Sequence, residues 1–352
     1  MVKAKESKAK GFFFGILAAV SYGVNPLGAK YLYEEGLNVE SVLFYRYELA
    51  ALIIGVIMLG KIIAGRRRAS SGPATKALQV TKPAEETGYE TFRINKGELS
   101  TLTALGLMFV ISSLTLYCSF LYMDSGVACS LLFVYPVMTA VLMAMLYGEK
   151  ITKATAAAIA LSLVGVLLLY KGDGETVLST VGVLLVMVSA LSYALYIIVA
   201  NRASAPESEL TSSHNRLTRF IPMPHRVSIH RLDMSAMKLS FYVLIVCAVS
   251  MVLFSFTSPE RHLLPLVTVR EWGYSLMLAI VPTVFSLISM GIAVRIIGST
   301  PTAIMGALEP LTAVVIGLTV FNEALTVNLV VGIMLILTAV TIIIIGKGKA
   351  KA

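Results

Sequence analysis

Long apolar runs separated by short polar turns make up nearly the whole chain. A helix rises 1.5 Å per residue, so about 20 apolar residues cross a hydrocarbon core of about 30 Å. Stretches of that kind run approximately over 11 to 32, 39 to 63, 98 to 123, 125 to 147, 151 to 170, 178 to 201, 236 to 257, 272 to 294, 299 to 321 and 326 to 346. They predict an all-α integral membrane protein of ten transmembrane helices, with no room for a soluble catalytic domain. Two hydrophilic stretches interrupt the pattern, at about 64 to 97 and 202 to 235. The first opens with Arg66-Arg67-Arg68, and the second is rich in Ser, Arg, His and Pro. Neither has a hydrophobic period able to build a core, so both read as solvated loops.

The halves of the chain resemble each other. Moving residues 125 to 170 forward by 174 places Ser125 on Ser299, Pro136 on Pro310, Glu149 on Glu323, Thr152 on Thr326 and Ile159 on Ile333. Near the start of each half, a shift of 171 places Gly11 on Gly182, Ala19 on Ala190 and Ser21-Tyr22 on Ser192-Tyr193. Each unit, 1 to 170 and 171 to 352, then holds five spans. After an odd number of spans the second unit enters the membrane from the opposite side, which makes the repeats inverted. Many secondary carriers build alternating access from such repeats, around a site at the bilayer midplane.

Two segments, YPVMTAVLMAMLYGEKIT and EPLTAVVIGLTVFNEALT, together with the small-rich first span GILAAVSYGVNPLGAKYL, resemble the EamA-like branch of the drug/metabolite transporter superfamily. The resemblance covers essentially every span and leaves out the two loops. It implies two EamA-like five-helix repeats and the export of small metabolites such as amino acids or related amphiphilic compounds, without choosing among substrates.

Composition agrees: 57% of residues are apolar, 14% are charged, and the mean hydropathy is +0.82. A net charge of +9 suggests nucleic acid, but its placement argues for a membrane instead. With a cytoplasmic N-terminus, 24 of the 29 Lys and Arg side chains fall in inside segments, Lys30, Lys171, Arg261 and Arg270 fall outside, and Arg46 lies within a span. This is the positive-inside bias of an even number of spans. It predicts cytoplasmic termini and loops in a bacterial cytoplasmic (inner) membrane, and no nucleic-acid partner. The basic N-terminus superficially resembles a secretory signal, but its apolar run passes 20 residues and lacks a small-residue cleavage site. Cys118, Cys129 and Cys247 lie in different spans and form no disulfide or metal motif.

Charges in lipid are expensive, at about 2.5 to 3.5 kcal/mol near a helix centre on insertion scales. Arg46, Glu48 and Glu309 sit clearly within spans, so each is expected to face protein or water. Arg46 and Glu48 are about 200° apart around a helix and cannot share a face. Arg46 and Glu309 are placed where their side chains would meet, either as a pair that binds substrate or exchanges a proton, or as a structural ion pair. Pro26, Pro136, Pro282 and Pro310 fall within spans and free the carbonyls of Tyr22, Leu132, Leu278 and Gly306 as hinges or ligands. Tyr22, Asn25, Tyr135, Tyr193, Tyr196, Ser286 and Ser289 supply hydrogen-bonding groups.

The expected substrate cavity therefore comprises Tyr22, Asn25, Arg46, Tyr135, Tyr193, Ser286 and Glu309. Glu149 and Glu323 are expected to favour the N-terminus of the helix that follows each. Gly11 to Gly15 forms a GxxxG for helix packing and, secondarily, for a homodimer. No metal site, cofactor motif, ATP motif or catalytic constellation is present. Transport would run on gradients, with protons as a candidate coupling ion; a non-transporting membrane sensor is the alternative. Cysteines introduced singly at Ser70, Ser212 and Glu260 test the topology. The first two are expected to resist an impermeant thiol reagent added outside, and the third to react; labelling of Ser70→Cys or Ser212→Cys from outside would overturn the inverted arrangement.

Overall fold

In hydrocarbon every backbone N–H and C=O must be satisfied within the segment, which leaves the helix as the solution for an unpaired apolar run. The structure, a computed structural model, describes residues 2–70, 92–147, 152–171, 179–203, 232, 234–258, 261–298, 301–302, 305–324 and 326–350. The described residues contain helices and no strand. In chain order the helices are α1 (Val2–Gly23), α2 (Asn25–Glu34), α3 (Val39–Ser70), α4 (Lys96–Ser119), α5 (Ser125–Leu132), α6 (Tyr135–Tyr147) and α7 (Lys153–Lys171). They continue with α8 (Thr180–Ala203), α9 (Ala236–Ser255), α10 (Val269–Ala279), a π-helical turn (Ile280–Phe285), α11 (Ser286–Ile297), α12 (Leu308–Val320) and α13 (Val327–Ala350). The first hydrophilic stretch starts later than expected, because α3 runs on to Ser70; most of the 64–97 and 202–235 stretches lie outside the described residues.

Among the described residues, seven stretches are long and apolar enough to cross a membrane: Lys8–Glu34, Val39–Gly65, Lys96–Ser119, Ser125–Leu146, Thr180–Ala203, Ala236–Ser255 and Val269–Ile297. Thr155–Leu168, Leu308–Val320 and Val327–Ile342 are shorter apolar helices. Large apolar side chains such as Phe13, Val56 and Leu253 lie exposed, while small residues such as Ala29, Ala50, Ala190 and Ala293 fill the interior. This is the distribution a lipid solvent favours, because lipid gives Leu and Phe no reason to turn inward, whereas helices close up around small side chains.

The prolines place the breaks. α1 ends at Gly23, and α2 restarts with Pro26 in its first turn. α5 and α6 part at Phe133–Val134, just before Pro136. Pro310 sits in the first turn of α12. Proline there removes a donor that the helix start does not use. Pro282 lies inside the π-helical turn, where the ladder is already interrupted.

Two of the carbonyls expected to be free are taken by this chain. Leu278 O accepts from Thr283 Oγ1 at 2.9 Å, and Gly306 O accepts from Glu309 N at 2.9 Å.

Pairing between helices follows a regular scheme. α1 packs on α11 and α12, α8 packs on α4, α5 and α6, α3 packs on α9 and α10, and α4 packs on α9. α5 packs on α12, and α7 on α13. α1 meets α11 antiparallel, with Gly11 against Ile296 and Ile297 and with Ser286 Oγ donating to Ala18 O at 2.9 Å. α8 meets α4 in the same sense, with Gly182 against Tyr122 and Met123 and with Ser189 Oγ donating to Ser112 O at 2.7 Å. The GxxxG of α1 is thus used inside the chain, Gly15 lying against Ala293 and Met305.

Thr283 satisfies Leu278 O and also accepts from Arg46 Nε at 3.0 Å. Replacing it with the isostere valine leaves both unsatisfied. Thr283→Val is expected to cost about 2 to 4 kcal/mol, read as a lowered unfolding midpoint of the detergent-purified protein; an unchanged midpoint would show that the pair of bonds contributes nothing.

Candidate functional site

The helix breaks converge on one cavity. Tyr22, Gly23 and Asn25 reach it from the α1–α2 break, Cys129, Leu132, Phe133 and Tyr135 from the α5–α6 break, and Glu309 and Pro310 from the start of α12. α3 adds Arg46, α8 adds Tyr193, and α4 adds Phe109, Ser112, Ser113, Leu116 and Tyr117. Interrupted helices position polar groups here because backbone freed at a break is tolerated at membrane depth only against protein or a cavity. Close approach at the floor depends on Gly23, where a Cβ would lie 2.6 Å from Glu309 O. The cavity is narrow, with a volume of about 40 Å³, enough for a few waters at about 10 to 15 Å³ each.

Arg46 organises one wall. Its guanidinium, 2% exposed, donates through Nη1 to Tyr117 Oη at 2.9 Å and through Nε to Thr283 Oγ1. Tyr117 Oη in turn donates to Asn25 Oδ1 at 3.2 Å, and Tyr33 Oη donates to Tyr117 O at 3.2 Å. The chain of bonds joins α3, α4, the start of α2 and the π-helical turn. A buried guanidinium thus gains charge-assisted bonds in place of its hydration.

The opposite side is aromatic. Tyr135 and Tyr193 meet edge to face at 4.7 Å, Tyr193 stacks on Tyr196 at 5.8 Å, and Phe109 lies 6.3 Å from Tyr193. Such offset and edge-on contacts are the preferred ones for rings with a quadrupole.

Six of the seven residues expected in the cavity line it: Tyr22, Asn25, Arg46, Tyr135, Tyr193 and Glu309. Ser286 does not, because it faces α1 and donates to Ala18 O. Tyr196 backs the wall through its stack on Tyr193, Ser289 is buried elsewhere in α11, and Glu48 stays outside the lining.

The expected meeting of Arg46 and Glu309 is not made. The guanidinium is held by two neutral hydroxyls, and no ion pair or hydrogen bond among the described residues reaches the Glu309 carboxylate. The lining of α4 escaped the sequence reading, although Phe109, Ser112, Ser113 and Leu116 are spaced i, i+3, i+4, i+7, the signature of one helix face.

Glu323 also departs from expectation. It does not cap α13; Thr326 Oγ1 does, accepting from Leu329 N at 3.1 Å. Glu323 reaches across to the start of α5, where it accepts from Ser125 N (3.0 Å), Ser125 Oγ (2.8 Å) and Gly126 N (3.2 Å), and it binds Lys30 Nζ at 2.5 Å. Asp124, at the N-cap position itself, makes no capping bond. The path requires Gly317, where a Cβ would lie 2.0 Å from Glu323 Oε2. Around the pair, Tyr31 stacks on Tyr274 at 4.7 Å, and Lys30 Nζ lies 4.6 Å from the centre of the Phe321 ring. No group of three or more His, Cys, Asp or Glu side chains able to hold a metal occurs among the described residues.

A sequence profile of the EamA-like transporter family matches residues 9–171 and 227–345. An uncharacterized transporter of Archaeoglobus fulgidus is 24% identical over 219 residues, 62% of this chain and 67% of that protein. A solved crystal structure of a protein 14% identical in sequence superposes with a TM-score of 0.57 over 98% of this chain and 99% of its own, which shows a shared fold.

Burial pushes the Glu323 carboxyl up, but the Lys30 ammonium and the Ser125 donors outweigh it and hold the group below its ordinary range. A depressed folded value contributes stability above the unfolded glutamate value of about 4.3 and loses it as pH falls through the folded value. Glu323→Gln is expected to cost about 1 to 2 kcal/mol at neutral pH. The difference in unfolding midpoint from the parent should shrink as pH is lowered below the carboxylate range; a pH-independent difference would assign the loss to packing.

Proposed function

We propose, from the premise that this chain belongs to the EamA-like transporter family and is a multi-pass membrane transporter rather than an enzyme, that it is a gradient-driven exporter of small metabolites such as amino acids or related amphiphilic compounds. It works by alternating access around the cavity at Glu309, in the cytoplasmic membrane of a bacterium, with its termini inside.

The reading takes the chain as ten spans in two inverted five-helix units, 1 to 170 and 171 to 352. Its support is that exchanging the units exchanges the packing. The contact of α1 with α11 answers to that of α8 with α4, and the contact of α1 with α12 to that of α8 with α6. The contact of α3 with α10 answers to that of α9 with α4, while α3 with α9, α5 with α12 and α7 with α13 map onto themselves. The same residue pairs also meet, for the shifts of 171 and 174 carry Ala18 and Ser286 onto Ser189 and Ser112, although there Ser189 Oγ is the donor, to Ser112 O. Units that exchange in this way have two equivalent rocking arrangements, one open to each side. The Lys30, Glu323 and Ser125 bonds tie α2, α5 and the turn after α12 together, one helical turn beyond Cys129 of the cavity lining. Opening at that end requires them to part.

One observation carries the proposal: a carboxylate, Glu309, with no partner among the described residues, in an aromatic cavity built from helix breaks of both units. Charge left in such a place is retained for a ligand or a proton, since a purely structural charge finds a partner. The test is flux of radiolabelled amino acids in proteoliposomes under a pH gradient. Glu309→Gln is expected to reduce flux at least about tenfold with folding intact, because binding through a charged hydrogen bond is lost. Arg46→Gln should lower flux and stability together. Normal flux with unchanged pH dependence in Glu309→Gln would remove Glu309 from the mechanism, and flux indistinguishable from empty liposomes in the parent would leave the sensor reading instead.

A further inference from the structure

The cavity treats its two charges very differently. Among the described residues, Arg46 is the one basic side chain of the lining and Glu309 the one acidic. Arg46 is 2% exposed, and its Nε and Nη1 already donate to Thr283 and Tyr117. Tyr117, which takes one of these bonds, also holds Asn25, so the guanidinium is already committed to the frame of the cavity. Glu309 is half-buried and without a donor among the described residues. The charge left without a protein partner among the described residues is therefore negative.

The repeat gives this charge a direction. Under the shift of 174, Tyr135 and Glu309 are equivalent residues, each directly before a helix-breaking proline, Pro136 or Pro310. Under the shift of 171, Tyr22 and Tyr193 are equivalent, and all four line the cavity. Three of these four places hold a tyrosine, and the fourth holds the carboxylate. The Tyr135 side adds an aromatic cluster, with Phe133 5.7 Å and Tyr193 4.7 Å from the Tyr135 ring. Aromatic faces attract organic cations and pack apolar bodies, and a carboxylate accepts the hydrogen bonds of an ammonium.

We propose that the substrate is an organic amine, its ammonium held by Glu309 and its apolar or aromatic body laid against Tyr135, Tyr193 and Phe109, with no carboxylate required. The assignment rests on the carrier reading above and narrows it: the amine is the recognised head group, and an amino acid enters by virtue of its ammonium. The Tyr135 and Glu309 positions set the polarity of the site, so a substrate has one binding orientation despite the two-fold relation of the halves.

The test compares three probes of similar size, phenethylamine, 3-phenylpropionate and 2-phenylethanol, by titration calorimetry on the full chain in lipid nanodiscs. Phenethylamine is expected to bind at least about tenfold more tightly than either of the others, since only it makes a charge-assisted bond with Glu309. Glu309→Gln should abolish that preference, and Glu309→Asp should retain part of it. An unfolding midpoint near that of the parent confirms that each variant is folded. Tighter binding of 3-phenylpropionate, absence of phenethylamine binding, or an unchanged preference in Glu309→Gln overturns the assignment. Flux of anionic or neutral metabolites in proteoliposomes alongside any of these results leaves the carrier reading standing, whereas absence of all flux with amine binding intact removes the carrier and keeps the amine site.

Discussion

A guanidinium placed in the hydrocarbon layer must recover inside the protein the hydrogen bonds it gives up in water, and the arrangement around Arg46 is built on that demand. Its donors reach Thr283 on the π-helical turn and Tyr117 on α4, and Tyr117 passes the requirement on to Asn25 at the start of α2. The consecutive helices α2 and α3 are thereby held in one register with α4 and the distant π-helical turn. The acceptors of these bonds are neutral hydroxyls, and among the described residues no carboxylate pairs with the guanidinium. A neutral cage of this kind leaves the acid of the same cavity uncommitted.

The prolines act through the same accounting. Pro282 cannot donate to Leu278 O, and Thr283 supplies the missing hydrogen bond from one residue on while accepting from Arg46. The defect in the ladder and the buried charge therefore solve each other. At Pro26, Pro136 and Pro310 the break falls at a helix start, where the lost donor has no partner to miss. Three starts converge on the cavity, and they bring Asn25, Tyr135 and Glu309 to it without exposing backbone to lipid.

Glu323 shows how a tight turn becomes a tertiary contact. Asn322 takes a left-handed conformation, φ 51°, which Asn tolerates better than most residues, and Glu323 N returns to Gly317 O at 2.9 Å. The side chain then lies over Gly317 and reaches the first amides of α5, where the positive end of the helix dipole and the Lys30 ammonium meet it. The bond set spans both halves of the chain, so it reports on their relative position.

Much of this protein is legible in its residues taken alone. Apolar run length marks where the helices of a multi-pass membrane protein form, because the bilayer sets the length and forbids other backbone solutions, although only seven of the ten expected runs are long enough to cross as helices among the described residues. The repeat is written in matched positions such as Pro136 and Pro310, and proline chemistry marks the breaks in advance. Six cavity residues were also accessible, since polar groups within a span have few places to go but inward. What the tertiary structure alone decided is which polar group meets which. Arg46 and Glu309 are each placed in the membrane by the sequence, yet a pair separated by over 260 positions has no spacing rule, and hydroxyls from α4 and the π-helical turn reached the guanidinium instead. Ser286 turned to α1 and Glu323 to α5 for the same reason: partner choice depends on the distance and angle between helices, and helix packing sets these through side chains that the linear pattern does not relate.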